Sequence, residues 1–349
     1  MRALTYAPGK RGSLAVEEVP DPRPGPGELL VQGLAVGVCG TDRELAAGEY
    51  GWPPPGRERM IIGHESLGRV LEAPEGSAYS PGDLVVGVVR RPDPVPCGAC
   101  GRGEFDMCRN GRYTERGIKE LDGYAGERWT LKAAYAVRLD PALESVGMLV
   151  EPASVVAKAW EQIERIGSRA WFEPRSVLVT GAGPVGLMAA LMGRQRGLEV
   201  HVLDRAPEGL KSSLVAELGA TYHSAGSLEE FAKDRPDLII ECTGAGSLVL
   251  EAMTATAAAG IVCLCGLSAK GRALQVDAGM VNRDIVLEND VVFGSVNANL
   301  RHFRAAATAL AQADLGWLRR LVTRRVPLEH ALEVFEPAGD IKAVIDLTA

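Results

Sequence analysis

The sequence has no dense run of lysine or arginine, no apolar leader and no unbroken apolar stretch of membrane length. Each absence removes a class of function. Its 38 basic residues are outnumbered by 45 acidic ones, for a formal net charge of -7. Nucleic acid selects basic surfaces and is therefore not an expected partner. The opening residues MRALTYAPG lack the long apolar core of a secretory signal and read as a first strand and turn, so a cytoplasmic protein is expected. The uncharged run from Ser176 to Gly193 approaches bilayer length, but Gly181, Gly183, Pro184 and Gly186 interrupt its middle. Strand, tight turn and helix explain it better than a span, and no membrane partner is expected. Internal repeats and low-complexity tracts are also missing. The seven cysteines are an odd number, and in a reducing compartment clustered thiols bind metal more often than they pair.

With 349 residues the chain exceeds the size at which one core usually stops growing, about 250 to 300 residues, so two domains are expected. Hydrophobic residues at 46% and charged residues at 24% suit a folded protein rather than a disordered one. The first half is rich in glycine and proline, with short β-type runs such as LLVQGLAV, SLGRVLEA and LVVGVV separated by turn signals. From Glu151 the texture changes. EPASVVAKAWEQIERIG has helical spacing of its apolar residues and stops at Gly167.

Next comes an alternation of SVLVTG, a helix to Gly197, EVHVLD, a helix to Gly219, DLIIECTG, a helix through Ala259, then IVCLCG and VVFGSV. Apolar strands alternating with helices imply a parallel sheet covered on both faces. The fold class expected is α/β, a doubly wound parallel-sheet (Rossmann) nucleotide domain joined to an irregular β-rich domain. The boundaries fall at 1–154 for the β-rich domain and 155–295 for the nucleotide domain. A C-terminal segment, 296–349, is expected to return to the first.

Gly181, Gly183 and Gly186 form G-x-G-x-x-G directly after a strand and at the start of a helix that opens with Pro184 and Val185. The first glycine makes the turn, the second admits a pyrophosphate and the third lets helix pack on strand. The diphosphate would lie on the helix N-terminus, where free N–H groups face the anion. The second strand ends at Asp204, where a carboxylate would bind the adenosine ribose of NAD. Arg205 follows it and would offset the repulsion of an NADP phosphate, so NAD is expected with NADP possible in second place. Asp204 can also be read as capping the helix near Pro207.

In the first half, GVCGTD places Cys39 after an apolar strand and IIGHE places His64 and Glu65 after another. Residues 94 to 108, PVPCGACGRGEFDMC, hold Cys97, Cys100 and Cys108. Together with the PGD turn at Pro81 to Asp83, the Glu-Pro pair at Glu151 and the glycine loop, these motifs resemble, in order and along the whole chain, the zinc-dependent medium-chain alcohol and polyol dehydrogenases. That resemblance implies a GroES-like catalytic domain and a catalytic zinc held by Cys39 and His64. Glu151 would be its third protein group, with Glu65 close behind and able to exchange with it. Thiolate, imidazole and carboxylate are all zinc ligands, and three of them leave a position for substrate. Glu151 also reads as an ordinary carboxylate favoured at a helix start.

The resemblance extends to a second zinc. In the family four cysteines in a C-x2-C-x2-C-x7-C pattern hold a structural metal, and Cys97, Cys100 and Cys108 fit the last three. The first position falls on Pro94, which cannot ligate, so the lobe either recruits a neighbour such as Asp93 or has lost its metal.

The stretch NGRYTERGIKELDGYAGE and the later VVFGSVNANLRHF resemble the glucose dehydrogenase branch. The resemblance implies Glu115 as a hydroxyl-binding carboxylate and Asn297 as a polar group near sugar and nicotinamide, with Asp122 in the same region. Val89 stands where some members of the branch carry asparagine. Glu115 can equally be read as a loop salt bridge beside Arg116. The expected reaction is oxidation of an aldose, glucose foremost, at C1 to the aldonolactone, with hydride passing to the nucleotide and Thr41 relaying the proton. A dehydrogenase for another polyol or secondary alcohol is the alternative, and a non-enzymatic nucleotide-binding protein is disfavoured by the intact Cys39, His64 and Glu151. The run DVVFGSV could pair across a subunit interface, which suits a homo-oligomer, a dimer or a tetramer.

Overall fold

The computed structural model describes residues 1–224, 227–228, 231, 234–268, 273–336 and 338–348. The chain divides into two compact units, Met1–Ser154 with Asn297–Ala349, and Val155–Val296.

The first unit is built on a mixed sheet of seven strands around the long strand Glu28–Val38. Buried and half-buried positions alternate along most of that strand, as a period of two requires when one face lies on a core. Glu65–Glu72 lies antiparallel on one side of it, with Gly37 opposite Glu65. Lys342–Asp346 lies antiparallel on the other, with Ala343 opposite Val38. The last strand of the chain thus sits beside one of the first. Leu4, Tyr6, Val36, Val38, Leu45 and Met60 pack with Ala343 and Ile345 into one apolar cluster, so residues from both ends share a core. A separate sheet of three short strands, Arg90–Arg91, Thr114–Arg116 and Glu120–Leu121, carries Glu115.

The second unit is a six-stranded, all-parallel sheet. Its spatial order is Thr221–Ser224, Glu199–Asp204, Ser176–Thr180, Leu238–Glu241, Ile261–Leu264, Val291–Gly294. Chain order reverses between Ser176–Thr180 and Leu238–Glu241, and such a reversal opens a crevice at the carboxyl ends of the two strands. The central strands are buried along nearly their whole length, which is why they read as continuous apolar runs.

Three local features differ from the sequence expectation. Thr221–Ser224 is a strand, although TYHS has neither an apolar run nor strict alternation; parallel pairing to Glu199–Asp204 holds it. The helix expected through Ala259 spans only Gly246–Ala252, and Ala259 sits in the left-handed region at φ 62°. A further helix, Ala278–Glu288, fully buries none of its residues, and its half-buried stripe of Val281, Asp284, Ile285 and Glu288 mixes apolar with acidic side chains, so no apolar stripe marks it in the sequence.

Candidate active site

Strand Glu28–Val38 delivers Cys39 to the N-cap of the short helix Gly40–Ala46. The Cys39 backbone N–H donates to Asp42 Oδ2 at 2.9 Å, which fixes the turn. The thiol Sγ lies 3.2 Å from Nε2 of His64, the residue just before strand Glu65–Glu72. On the far side of that ring, Nδ1 is 3.3 Å from Asp42 Oδ1, within ion-pair range but short of hydrogen-bond alignment. Asp42 therefore supports both the cysteine and the histidine. Ligand atoms of Cys39, His64 and Glu65 all fall within 4.8 Å of one another.

Glu65 is not free to turn. Lys342 Nζ lies 2.6 and 2.7 Å from its two carboxylate oxygens, with both side chains almost wholly buried. Gly37 makes room for this pair, since a Cβ there would overlap the Glu65 carboxylate. Glu151, in the first turn of helix Val150–Gly167, is near enough for its carboxyl to feel the charges of His64, Glu65, Lys342 and Asp42. It makes no side-chain hydrogen bond to any described residue.

The electrostatics follow from this packing. Burial would push the His64 imidazole down, but Asp42 and Cys39 outweigh it and hold the group well above its ordinary value. Burial pushes the Cys39 thiol up. Burial, opposed by His64 and reinforced by Glu65, raises the Glu151 carboxyl to about 7. Four groups able to carry negative charge, Cys39, Asp42, Glu65 and Glu151, thus face one lysine and one histidine. That donor set, sulfur, imidazole nitrogen and carboxylate oxygen with an excess of negative charge, fits a divalent zinc ion.

Thr41 is the second residue of helix Gly40–Ala46, and burial pushes the pKa of the nearby Tyr50 hydroxyl up to about 12.

Glu115 is buried in the same unit. Its Oε1 accepts from Arg90 Nε at 3.0 Å and from Asn297 Nδ2 at 2.7 Å, while Oε2 accepts no hydrogen bond from any described residue. Arg90, not the adjacent Arg116, is the partner. The Arg116 guanidinium donates to the carbonyls of Asp122 and Thr130, because neighbours on a strand point to opposite faces. Asn297 has φ 62°, and its Oδ1 accepts from Ala298 N at 2.7 Å, so both ends of its amide are committed to protein groups. The Asp122 carboxylate accepts from Arg57 and from Ile61 N at 2.9 Å, which makes it a clip on its own loop.

The three lobe thiols lie within 4.8 Å of one another. Arg109 N–H donates to Cys97 Sγ at 3.4 Å, and this together with other backbone N–H groups lowers the Cys97 thiol to about 6. Asp93 does not join them. Its Oδ1 accepts from Val95 N at 2.8 Å, and its buried Oδ2, 3.5 Å from Arg112 Nε, has no hydrogen-bond partner among the described residues, but only the three cysteines group as ligands within 4.8 Å of one another.

In the second unit the glycine loop follows strand Ser176–Thr180. Gly181 has φ 89°, a Cβ at Gly186 would strike the Gly181 carbonyl, and Gly183 faces open space. Helix Pro184–Gln195 begins immediately afterwards, with Pro184 and Val185 in its first turn. Asp204 braces this loop: Oδ2 accepts from Ala182 N at 2.6 Å and Lys211 Nζ at 3.1 Å, and Oδ1 from Ala206 N at 2.8 Å. Against the upward push of burial, these donors hold its pKa below the ordinary value. Helix capping near Pro207 is not its role, since the next helix, Leu210–Glu217, is capped by Gly209 and Ser212. Gly181, Gly183, Asp204, Arg205, Lys211, Cys242 and Thr243 line one crevice at the sheet's reversal point.

Sequence reasoning did not single out Asp42, Arg90, Lys211 or Lys342. Only Asp42, three residues after Cys39 at a helix start, carries a local signal, the capping-box spacing.

A glycine-loop nucleotide unit and a GroES-like unit with a thiol, imidazole and carboxylate cluster define the class of medium-chain dehydrogenases. The alcohol dehydrogenase GroES-like domain matches residues 25–141, and the glucose dehydrogenase C-terminus matches residues 144–347. Among curated relatives, the chain is 41% identical to glucose 1-dehydrogenase of Methanocella arvoryzae over 100% of both chains, and 41% identical to that of Thermoproteus tenax over 99% of both. The structure matches Haloferax mediterranei glucose dehydrogenase, solved in complex with NADP, Zn and gluconolactone, at a TM-score of 0.90, with 32% identity and 100% of both chains covered. The chain belongs to the glucose 1-dehydrogenase family.

Proposed function

We propose that this chain oxidises an aldose, glucose foremost, at C1 to the aldonolactone and passes the hydride to NAD or NADP. The observation that carries this reading is the buried Glu115, held by one oxygen and open at the other, in the same unit as the Cys39, His64 and carboxylate cluster. A sugar hydroxyl taken from water must regain its hydrogen bonds, and an ionised acceptor with an unused oxygen supplies one.

On this reading Met1–Ser154 with Asn297–Ala349 is the catalytic domain, and Val155–Val296 is the dinucleotide domain. Cys39 and His64, whose ligand atoms group with those of Glu65, would hold the catalytic zinc; Glu151 would be its third protein group, as the family resemblance implies, with Glu65 the nearby carboxylate that Lys342 keeps paired. Bound there, zinc would supply the Lewis acid that makes a sugar hydroxyl more acidic. The rest is the work of side chains. Thr41, two residues beyond Cys39 at the start of helix Gly40–Ala46, relays the hydroxyl proton outward. Glu115 holds a sugar hydroxyl, and Asn297, bonded to it, would be the polar group near the sugar and nicotinamide that the family resemblance implies. Asp42 orients the His64 ring so that Nε2 faces the thiol.

Gly181, Gly183, Pro184, Val185 and Gly186 take the cofactor diphosphate, with Asp204 and Arg205 at the ribose. Lys211 pairs with Asp204 in the same crevice, so two cations offset the one carboxylate and NADP is accepted beside NAD. Cys97, Cys100 and Cys108 supply three of the four ligands a structural zinc would need, and the lobe either completes the set with a neighbour such as Asp93 or carries no metal.

Strand Val291–Gly294 lies at the edge of its sheet and would pair with a second copy to give a dimer, or a tetramer of such pairs. No helix among the described residues is long and apolar enough to cross a membrane.

The deciding experiment is a panel of aldoses, polyols and secondary alcohols assayed with each cofactor. Glucose should be oxidised with the highest kcat/KM. A secondary alcohol turned over at least as fast as every aldose would overturn the sugar assignment and leave the polyol or alcohol reading in its place.

A further inference from the structure

Glu115 sits in a closed ring of polar contacts within the first unit. Arg90 Nε donates to its Oε1 at 3.0 Å. The same guanidinium donates through Nη1 to the Asp106 carbonyl at 2.8 Å and stacks 3.7 Å from the centre of the Tyr113 ring. The Asp106 side chain accepts from Asn299 Nδ2 at 2.6 Å, and Asn299 is two residues beyond Asn297, which returns to Glu115 Oε1 at 2.7 Å. Every link is short, and Arg90, Asp106, Glu115 and Asn299 are all buried.

From this geometry we infer that Arg90 is the positioning residue for the sugar-binding carboxylate. The inference rests on the reading of Glu115 as a sugar ligand. A guanidinium is planar and always charged, and it can hold a carboxylate in place while bonding elsewhere. Here it is locked from three sides, by Glu115, by the Asp106 carbonyl and by the Tyr113 face. It fixes Glu115 through Oε1 and turns Oε2 toward its ligand. Asn297 shares this task from the other side, its left-handed backbone and its bond from Ala298 N dictating where the amide nitrogen points. Arg90 itself need not touch sugar. Its effect passes through Glu115, and losing it would cost aldose affinity more than turnover.

The test is a double-mutant cycle on the zinc-loaded enzyme with saturating NADP, using Arg90→Gln, Glu115→Gln and the combined variant. Arg90→Gln should raise the glucose KM by roughly tenfold or more while kcat changes by less than about threefold, because binding geometry is lost and the reacting groups stay. The combined variant should be no worse than Glu115→Gln alone by more than about twofold, because residues acting through one another are not additive. Arg90→Lys, which restores a single donor, should recover part of the affinity. If Arg90→Gln does not fold, the cycle with Arg90→Lys carries the same expectation of non-additivity.

Independent effects that multiply in the combined variant, or a wild-type KM in Arg90→Gln beside a raised KM in Glu115→Gln, would overturn the inference and leave the sugar reading standing. An unchanged KM in Glu115→Gln would overturn both.

Discussion

The ammonium of Lys342 is bonded to both carboxylate oxygens of Glu65, at 2.6 and 2.7 Å, across 277 residues of sequence. Burial pushes the Lys342 pKa down, but Glu65 and then Cys39 outweigh it and hold the pKa above its ordinary value. Replacing one partner of such a pair strands the other, which costs roughly 3 to 5 kcal/mol. Lys342→Met is therefore expected to lower unfolding free energy by that amount in chemical denaturation. Lys342→Met combined with Glu65→Gln should regain most of it, and a single variant as stable as wild type would contradict the pairing.

The metal cluster predicts a separation of functions. His64→Ala should abolish activity and remove about one zinc per subunit, while nucleotide binding, followed by fluorescence titration, persists. Asp42→Asn should keep the ligands but weaken zinc affinity by roughly 10- to 100-fold, the usual consequence of losing the group that orients a ligating histidine. Metal analysis against a competing chelator measures both. A fully active, metal-free His64→Ala enzyme would refute the assignment.

Cofactor choice should respond to Asp204 and Lys211. Asp204→Gly removes a negative charge from the crevice and should shift the NADP-to-NAD ratio of kcat/KM upward by about tenfold, since a pair of like charges near a surface repels by a few kcal/mol before screening. It should also loosen the loop, because Ala182 N loses its acceptor. Lys211→Ala should move the ratio the other way.

Asp204 also predicts a pH dependence. Its folded pKa lies below the ordinary 3.8, so its stabilising contribution is present above 3.8 and is lost as pH falls through the folded value. The stability gap between wild type and Asp204→Asn should therefore be constant near neutrality and close only in strong acid. A gap that closed between pH 6 and pH 8 would show another group to be responsible.

Cys97→Ser should lower the melting temperature or loosen the lobe while leaving kcat near wild type, because the thiols stand outside the proposed chemistry. A variant with native melting and no catalysis would contradict a scaffold role.

What could be read from sequence follows the range over which each signal acts. The loop at Gly181, Gly183 and Gly186 is a local constraint of turn, close approach and helix packing, and the structure satisfies it within a single strand-to-helix turn. Cys39 and His64 stand at the ends of apolar runs, and their register on neighbouring strands brings them together. Arg90 could not be found in this way, because its bond to Glu115 depends on the pairing of Arg90–Arg91 with Thr114–Arg116 across 25 residues. Lys342 is one of eight lysines with no local mark to set it apart until strand pairing puts it beside Val38. The strand Thr221–Ser224 shows the same limit, since a polar tetrapeptide becomes a strand only because a partner edge is waiting for it.

The unit that holds Cys39 is discontinuous, starting at Met1, pausing at Ser154 and resuming at Asn297, whereas the nucleotide unit is one unbroken stretch. During synthesis from the N-terminus, the whole glycine-loop sheet is made before Lys342 exists, and domains form in the order in which they become complete. Until the strand Lys342–Asp346 is made, Glu65 has no cation beside it and the end of the long strand at residues 35–38 lacks its neighbour on one side, where Arg128–Lys132 covers only residues 28–32. The nascent protein would therefore be able to recognise dinucleotide before its zinc ligands are set, and shortening the chain before residue 342 would leave a nucleotide binder without a finished reaction centre.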